Sequence, residues 1–218
     1  MDYLDSGYHL VRIVITGGPC SGKSSALSRA VDELNGLGYQ ILLMPETATS
    51  LISRGISPAT CQTPLGYQKI QMYFQMEKEK TYAMAAEEIS WAQKKPILIV
   101  YDRGMMDNKA YISDEDFLQV MEDLGVSEEE CISWYDAVFH LDTAAKGAEE
   151  YYSSDNNRSR TETAEEAIKV DDCTLHAWDG HPNRVIIDNS TGFEEKMNRL
   201  YDGIREALLE LQTWREIT

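Results

Sequence analysis

One octet in the chain has the residue types and spacing to hold a phosphate: Gly17-Gly18-Pro19-Cys20-Ser21-Gly22-Lys23-Ser24, followed by Ser25. It satisfies GxxxxGK[ST] at every fixed position. The backbone N–H groups of such a loop form a concave anion site, and the helix that follows adds the positive end of its dipole. Gly17 and Gly22 allow backbone angles that a side chain would block. Lys23 reaches the β- and γ-phosphates of a nucleotide, and Ser24 offers a hydroxyl to Mg²⁺. The implied ligand is Mg-ATP or Mg-GTP, gripped by residues 17–25.

Phosphoryl transfer also needs carboxylates and cations beside the phosphate. Asp102 closes the apolar run Ile97 to Tyr101 and is the expected metal-side carboxylate with Ser24. Glu46, in Pro45-Glu46-Thr47-Ala48, is placed to take a catalytic role at the same sheet edge. Arg158 and Arg160 end a small, polar stretch and read as lid arginines, because transferring phosphoryl groups gain from fixed positive charge. Asp188 and Asn189 follow the last expected strand, where a nucleotide base usually lies. Trp178 and His181 precede that strand, and His181 is a further candidate.

The elements that must position these residues alternate. Strands are expected at 10–16, 39–44, 97–101, 137–141 and 184–187. Helices are expected at 21–37, with Leu27, Ala30, Val31 and Leu34 on one face, and at 65–94, between Thr63-Pro64 and Pro96. The last helix follows a capping box, Thr191 to Glu194. Alternating β and α elements predict a single domain over 1–218: a three-layer α/β P-loop NTPase with a parallel five-stranded sheet, helices on both faces, and a lid at about 144–163. A helix after that lid is capped either by Ser159 with Glu162 or by Thr163 with Glu166. Signalling GTPases are excluded: Asn108-Lys109-Ala110-Tyr111 has Tyr where guanine recognition requires Asp, and Asp102-Arg103-Gly104 misplaces the switch glycine.

GGPCSGKSS, PETAT, YDRG with Asp107, RSRTETAEEA and WDGHPNRVIIDN together resemble the AAA-type P-loop domain family. That family includes the ribosylnicotinamide kinase domain of a bacterial NAD-biosynthesis regulator and the GTP-binding protein of a photoreceptor channel-translocation defect. The likeness runs from about Arg12 to the final helix and implies a nucleotide-kinase-like fold. The C-terminal anionic-ligand domain of eukaryotic relatives has no counterpart here, so lipid binding is not expected. Nucleoside kinases offer a looser similarity. It implies that Glu46 is the base for a nucleoside hydroxyl and that Asp102-Arg103 is the acidic-arginine pair ending the third strand. In that scheme Gln71 and Gln75 could read a base, although ordinary polar helix positions explain them as well.

The net charge is −17, from 20 basic and 37 acidic residues. That argues against nucleic acid or an anionic membrane as partner, since both need a basic face. From 110 to 145 there are ten carboxylates and no Lys or Arg, a solvated face or a surface for a basic protein. Cys20, Cys61, Cys131 and Cys173 are widely spaced and form no CxxC pair, so free thiols in a reducing compartment are expected. An acidic N-terminus lacks a signal-peptide pattern, and a cytoplasmic location is expected. The residues point to Mg-dependent transfer of a γ-phosphate to a small hydroxyl-bearing molecule. The alternative is a nucleotide-dependent regulatory module with little turnover.

Overall fold

The computed structural model describes residues 10–148 and 163–217, with side chains to 211. Five strands form one sheet: β1 (Leu10–Thr16), β2 (Gln40–Met44), β3 (Ile97–Asp102), β4 (Ala137–Leu141) and β5 (Arg184–Ile187). Their order is β2-β3-β1-β4-β5, and each neighbouring pair is parallel. β1 is therefore central, with β3 and β4 on either side. The crevice at its carboxyl end is where open α/β sheets bind ligands.

Alternate residues of each strand feed two separate cores, which makes the three layers. Val11, Ile13, Ile15, Leu98, Val100 and Phe139 pack against α1 (Lys23–Glu33) and α7 (Phe193–Ile217). Val14, Ile97, Ile99, Tyr101 and Val138 face the other way. They meet Met72 and Met76 of α3 (Pro64–Gln93), Phe117 of α4 (Asp114–Leu124), Cys131 of α5 (Glu128–Ser133) and Trp178, just past α6 (Ala164–His176). Both faces of β3 are covered, which is why ILIVY is apolar throughout.

The helix ends follow local chemistry. Thr63 accepts a hydrogen bond from the Gly66 N–H at 2.9 Å, and Pro64 occupies the first turn of α3. Thr163 with Glu166 forms the capping box of α6, which decides between the two expected caps. Three helices, α2 (Thr47–Ile52), α4 and α5, and a 3₁₀ segment at Met105–Tyr111 escaped the sequence reading; α2 and α5 are too short to show a period, whereas α4 carries one in Phe117, Val120 and Met121 that went unread. The first helix was expected to reach 37 but ends at Glu33. Gly36 and Gly38, at φ 89° and 83°, turn the chain toward β2. Val31, expected on the buried face, is 48% exposed, while Ala26, Ala30 and Leu34 are buried. Among the described residues, no helix is long and apolar enough to cross a membrane.

Candidate functional site

The loop between β1 and α1 opens on the central crevice. Gly17 sits at φ 139° and Gly22 at φ 97°. A Cβ on Gly17 would lie 2.1 Å from the Leu141 carbonyl oxygen. Lys23 folds back over its own loop, donating to the carbonyls of Gly17 (2.9 Å) and Gly18 (3.0 Å) and to Ser21 Oγ (3.3 Å). Burial and the nearby Arg103 guanidinium push the Lys23 pKa down, against Asp102, Glu46 and Asp107. A triphosphate would reverse that balance by supplying negative charge where the ammonium has only carbonyl dipoles.

Three carboxylates lie on the β3 side. Asp102 ends β3, and its Oδ1 is buried with no hydrogen-bond partner. Burial and the Glu46 charge raise its pKa. Glu46, just before α2, accepts from Arg103 Nε at 2.8 Å and from the Thr49 hydroxyl. Burial alone would raise the Glu46 pKa, but the Arg103 charge, those hydrogen bonds and Lys23 hold it below the usual value. Asp107 is 2% exposed and anchors the turn after β3. It accepts from the Gly104 N–H (2.8 Å), Arg103 Nη1 (3.3 Å), the Thr16 hydroxyl and Trp178 Nε1 (3.3 Å). Arg103 itself is left-handed, at φ 67°. The adjacent Gly104 leaves room for the Trp178 ring, which a Cβ would approach to 2.6 Å. The DRG and WDGHP segments are thus physically interlocked.

The β4 side supports the loop. Asp171 of α6, fully buried, accepts from the Gly18 N–H at 2.6 Å, pairs with Lys146 at 2.7 Å and lies 3.3 Å from His140 Nε2. These partners outweigh burial and bring the Asp171 pKa to about 2. Gly18 must be glycine here, because a Cβ would stand 2.7 Å from Asp171 Cβ. Thr143 bonds the Pro19 carbonyl, and the Ala144 N–H donates to the Cys20 carbonyl at 3.2 Å. Lys196 of α7, 3% exposed, donates to the carbonyls of Ser21 (3.1 Å) and Asp142 (2.7 Å) and to Asn189 Oδ1 (2.8 Å).

Beyond Glu46 and Arg103 a cavity of about 530 Å³ opens between α2, α3 and the 3₁₀ segment, lined also by Tyr67, Gln68, Gln71 and Asn108. A larger groove of about 960 Å³, on the α2, α3 and α4 surface, includes no residue of the phosphate loop. Residues 12–196 match the family model of an AAA domain. The chain belongs to that family. No curated protein matches it. The match, the loop and the parallel sheet make this AAA domain a nucleotide-binding P-loop protein.

The structure of this AAA domain brings Lys23, Ser24, Glu46, Asp102 and Arg103 to one sheet edge. Arg158 and Arg160 lie outside the described residues, as does most of the expected lid. Asn189 is engaged in the scaffold, donating to the Thr143 and Lys146 carbonyls at 2.7 and 2.8 Å. Asp188 pairs with Arg199 at 2.8 Å and accepts from the Ser190 hydroxyl. The Asn189 oxygen and nitrogen both have protein partners and support the loop, while the Asp188 side chain stays half exposed. His181 holds the chain before β5, with Nε2 on the Tyr135 carbonyl (2.9 Å) and Nδ1 accepting from the Asn183 N–H (3.1 Å).

Gln75 is also spent inside the protein, between Asn108 and Glu79; of the two glutamines, Gln71 retains an oxygen with no partner among the described residues. Sequence reading missed Asp171, Lys146 and Lys196. The signal for two of them was present. Asp171 shares a face with Ala167 and Thr174 of α6, and Lys196 sits three residues after Phe193 on the apolar stripe of α7. A charged residue on a buried helical face requires a partner inside.

Proposed function

We propose that this AAA domain transfers the γ-phosphate of ATP or GTP to a hydroxyl of a small, nucleoside-like molecule. The observation that carries the reading is the cavity with Glu46 and Arg103 on its wall, two groups whose charges act on Lys23 of the phosphate loop. A protein that only bound nucleotide would need no second chamber at the γ-phosphate end. Ser24 is exposed and Asp102 Oδ1 is buried without a partner, which suits an oxygen-seeking Mg²⁺. Held by those two residues, the ion would neutralise charge on the β- and γ-phosphate oxygens.

In the transfer, the hydroxyl oxygen forms a bond to the γ-phosphorus as the bond to the β–γ bridging oxygen breaks, and the nucleoside diphosphate leaves. The hydroxyl proton passes to the Glu46 carboxylate. Because the Glu46 pKa is held low, the carboxylate is ionised at neutral pH but is a weak base. That suits a loose transition state, in which the proton leaves late and positioning contributes most. Lys23 moves from its own loop carbonyls to the transferring phosphate. Arg103 fixes the Glu46 carboxylate. The nucleotide-switch alternative draws support from that same ion pair, which blunts Glu46 as a base. Incubation with Mg-ATP or Mg-GTP and a nucleoside panel separates the two. Phosphorylated nucleoside is expected; nucleotide binding without any acceptor-dependent product would favour the switch.

A further inference from the structure

The wall of the cavity contains a chain of buried amides whose direction is fixed at both ends. Glu79 is 8% exposed, and its Oε1 receives the Tyr135 hydroxyl at 2.7 Å and Gln75 Nε2 at 3.2 Å. Tyr135 donates there and accepts from the Met105 N–H at 2.8 Å. Gln75 therefore turns its oxygen toward Asn108, whose Nδ2 donates to it at 3.0 Å. The same Nδ2 donates to the Met105 carbonyl at 2.9 Å, a second and independent pin, because a backbone carbonyl can only accept. Asn108 Oδ1 is left to accept from Gln71 Nε2 at 2.6 Å. Gln71 is thereby locked with its nitrogen inward, and its Oε1 receives no hydrogen bond among the described residues. Gln68 Oε1 and Tyr67 Oη, on the same wall, are buried with no hydrogen-bond partner among the described residues. Tyr67 can donate or accept, and Gln68 can turn its amide either way, so the pinned Gln71 sets the preference.

We infer that the Glu79–Gln75–Asn108 chain holds Gln71 as a hydrogen-bond acceptor, and that the cavity selects a second substrate whose planar end carries N–H donors over one that lacks them. This rests on the reading of the cavity as the second-substrate site. Glu79, Gln75 and Asn108 act through Gln71 and are positioning residues. A planar end without that donor would leave Gln71 Oε1 unpaired in a desolvated pocket.

The test is calorimetry on the full chain saturated with Mg²⁺ and a non-hydrolysable ATP analogue, so that the phosphate loop is filled. The probes are adenosine against purine riboside and cytidine against pyrimidin-2-one riboside, pairs that differ only in the exocyclic amino donor and leave the ring nitrogen an acceptor in both members. The amino member should bind about 10- to 100-fold more tightly in both pairs. Gln71→Met, which keeps length and apolar volume, should bring each pair within about threefold. Asn108→Leu should do the same by releasing the Gln71 amide, and Gln71→Met carries the test if that buried substitution fails to fold. Glu79→Gln should preserve the preference, because a carboxamide oxygen still accepts from Tyr135 and Gln75. Equal binding within wild-type pairs, or tighter binding of the member that lacks the amino group, overturns the inference and leaves the second-substrate reading standing. If none of the four binds while the nucleotide analogue does, the second-substrate reading falls and the inference falls with it.

Discussion

On the β4–β5 side of the phosphate loop, Asp171 and Lys196 each meet three protein groups. On the β3 side, Asp102, Tyr67 and Gln68 each keep a buried oxygen with no hydrogen-bond partner among the described residues. On the first flank Asp171 and Lys196 are paired inside the protein and hold the loop in shape, while His140 Nδ1 beside them is buried with no hydrogen-bond partner among the described residues. The second is left unbalanced. A buried polar group without a partner costs about 1–3 kcal/mol. Two of them, on Tyr67 and Gln68, line one cavity, where a bound ligand would supply the partners that the described chain does not. Arg103 spans the difference: left-handed and ion-paired to Glu46, it fixes the carboxylate that the open flank presents.

The largest expected effect breaks the open flank chemically while leaving the closed flank intact. Glu46→Gln keeps shape but cannot take a proton. Acceptor-dependent phosphorylation should fall by about 10²–10⁴-fold, with Mg-nucleotide affinity by calorimetry within a few-fold of wild type. Full turnover in this variant would remove Glu46 from the chemistry and make Asp102 the next candidate base. Loss of nucleotide binding would move Glu46 to the loop-supporting group and erase the distinction between the flanks.

Asp171→Ala attacks the closed flank. It strands the Gly18 N–H and leaves Lys146 with only Asp172, at 2.7 Å, as an acidic partner. Removing one partner of such a buried network costs about 2–4 kcal/mol, and the melting temperature should drop by about 5–15 °C. Nucleotide affinity should fall with it. An unchanged melting temperature would mean that Asp171 does not hold the loop. Among the described residues, His140, Asp142 and Asp171 are the one histidine–carboxylate group with ligand atoms within 4.8 Å of one another. The Lys146 ammonium already supplies positive charge there, so added divalent metal should not rescue the variant.

Each flank was legible in the sequence to a different degree. The loop, the strand that feeds it and Asp102 follow from one motif and one apolar run, because backbone phosphate binding demands a fixed local spacing. Glu46 was assigned from its place after a strand and Arg103 from the resemblance to nucleoside kinases, and the two are adjacent because β2 and β3 pair in register from Gln40 with Ile97 to Met44 with Tyr101. Asp171 and Lys196 lie more than 145 residues from the loop atoms they hold. No local period shows such contacts; only a charge on an apolar helical face hints at them. Asp188 and Asn189 were correctly placed after β5 but assigned to a ligand. What decides a strand-end polar residue is whether its neighbours leave it a free atom, and that is a property of the packed structure.

Lys23 belongs to both flanks, since it rests on loop carbonyls and faces the open carboxylates. Lys23→Ala should weaken triphosphate binding by about 10- to 100-fold, the value of a charge-assisted hydrogen bond of about 1.5–3 kcal/mol. The fold should survive, because the ammonium bonds only its own loop, at the Gly17 and Gly18 carbonyls and Ser21 Oγ, and ties no second element to it. Triphosphate affinity unchanged by calorimetry would contradict the phosphate-site assignment. A fall in stability as large as that of Asp171→Ala would place Lys23 with the supports.

The smallest expected effect concerns Glu79, which links the open flank to the core. Burial pushes its pKa up to about 7, although Tyr135, Gln75, Arg12 and Lys78 all favour its charged form. Its ordinary value is 4.5, so the folded state binds a proton that the unfolded chain releases. Stability from this group is complete below about pH 4.5 and is lost as pH rises through about 7. The titratable side chains packed nearby, Tyr101, Tyr135 and Cys131, are all pushed upward, away from this window. Lys78 is lowered by burial, but it is common to both proteins being compared. Glu79→Gln retains the oxygen that Tyr135 and Gln75 need and removes the titration. Between pH 5 and 8 the wild type should lose about 1–3 kcal/mol more than the variant, at about 1.4 kcal/mol per pKa unit. Urea unfolding at a series of pH values measures the difference. Parallel curves would show that Glu79 does not change protonation across the window and stays ionised in the folded protein. The amide chain would then end on a buried charge rather than on a neutral acid. A variant less stable than wild type at pH 8 would show that the charge itself, held by Arg12 and Lys78, supports the fold. The open flank would then rest on an ionic foundation like that of the closed one.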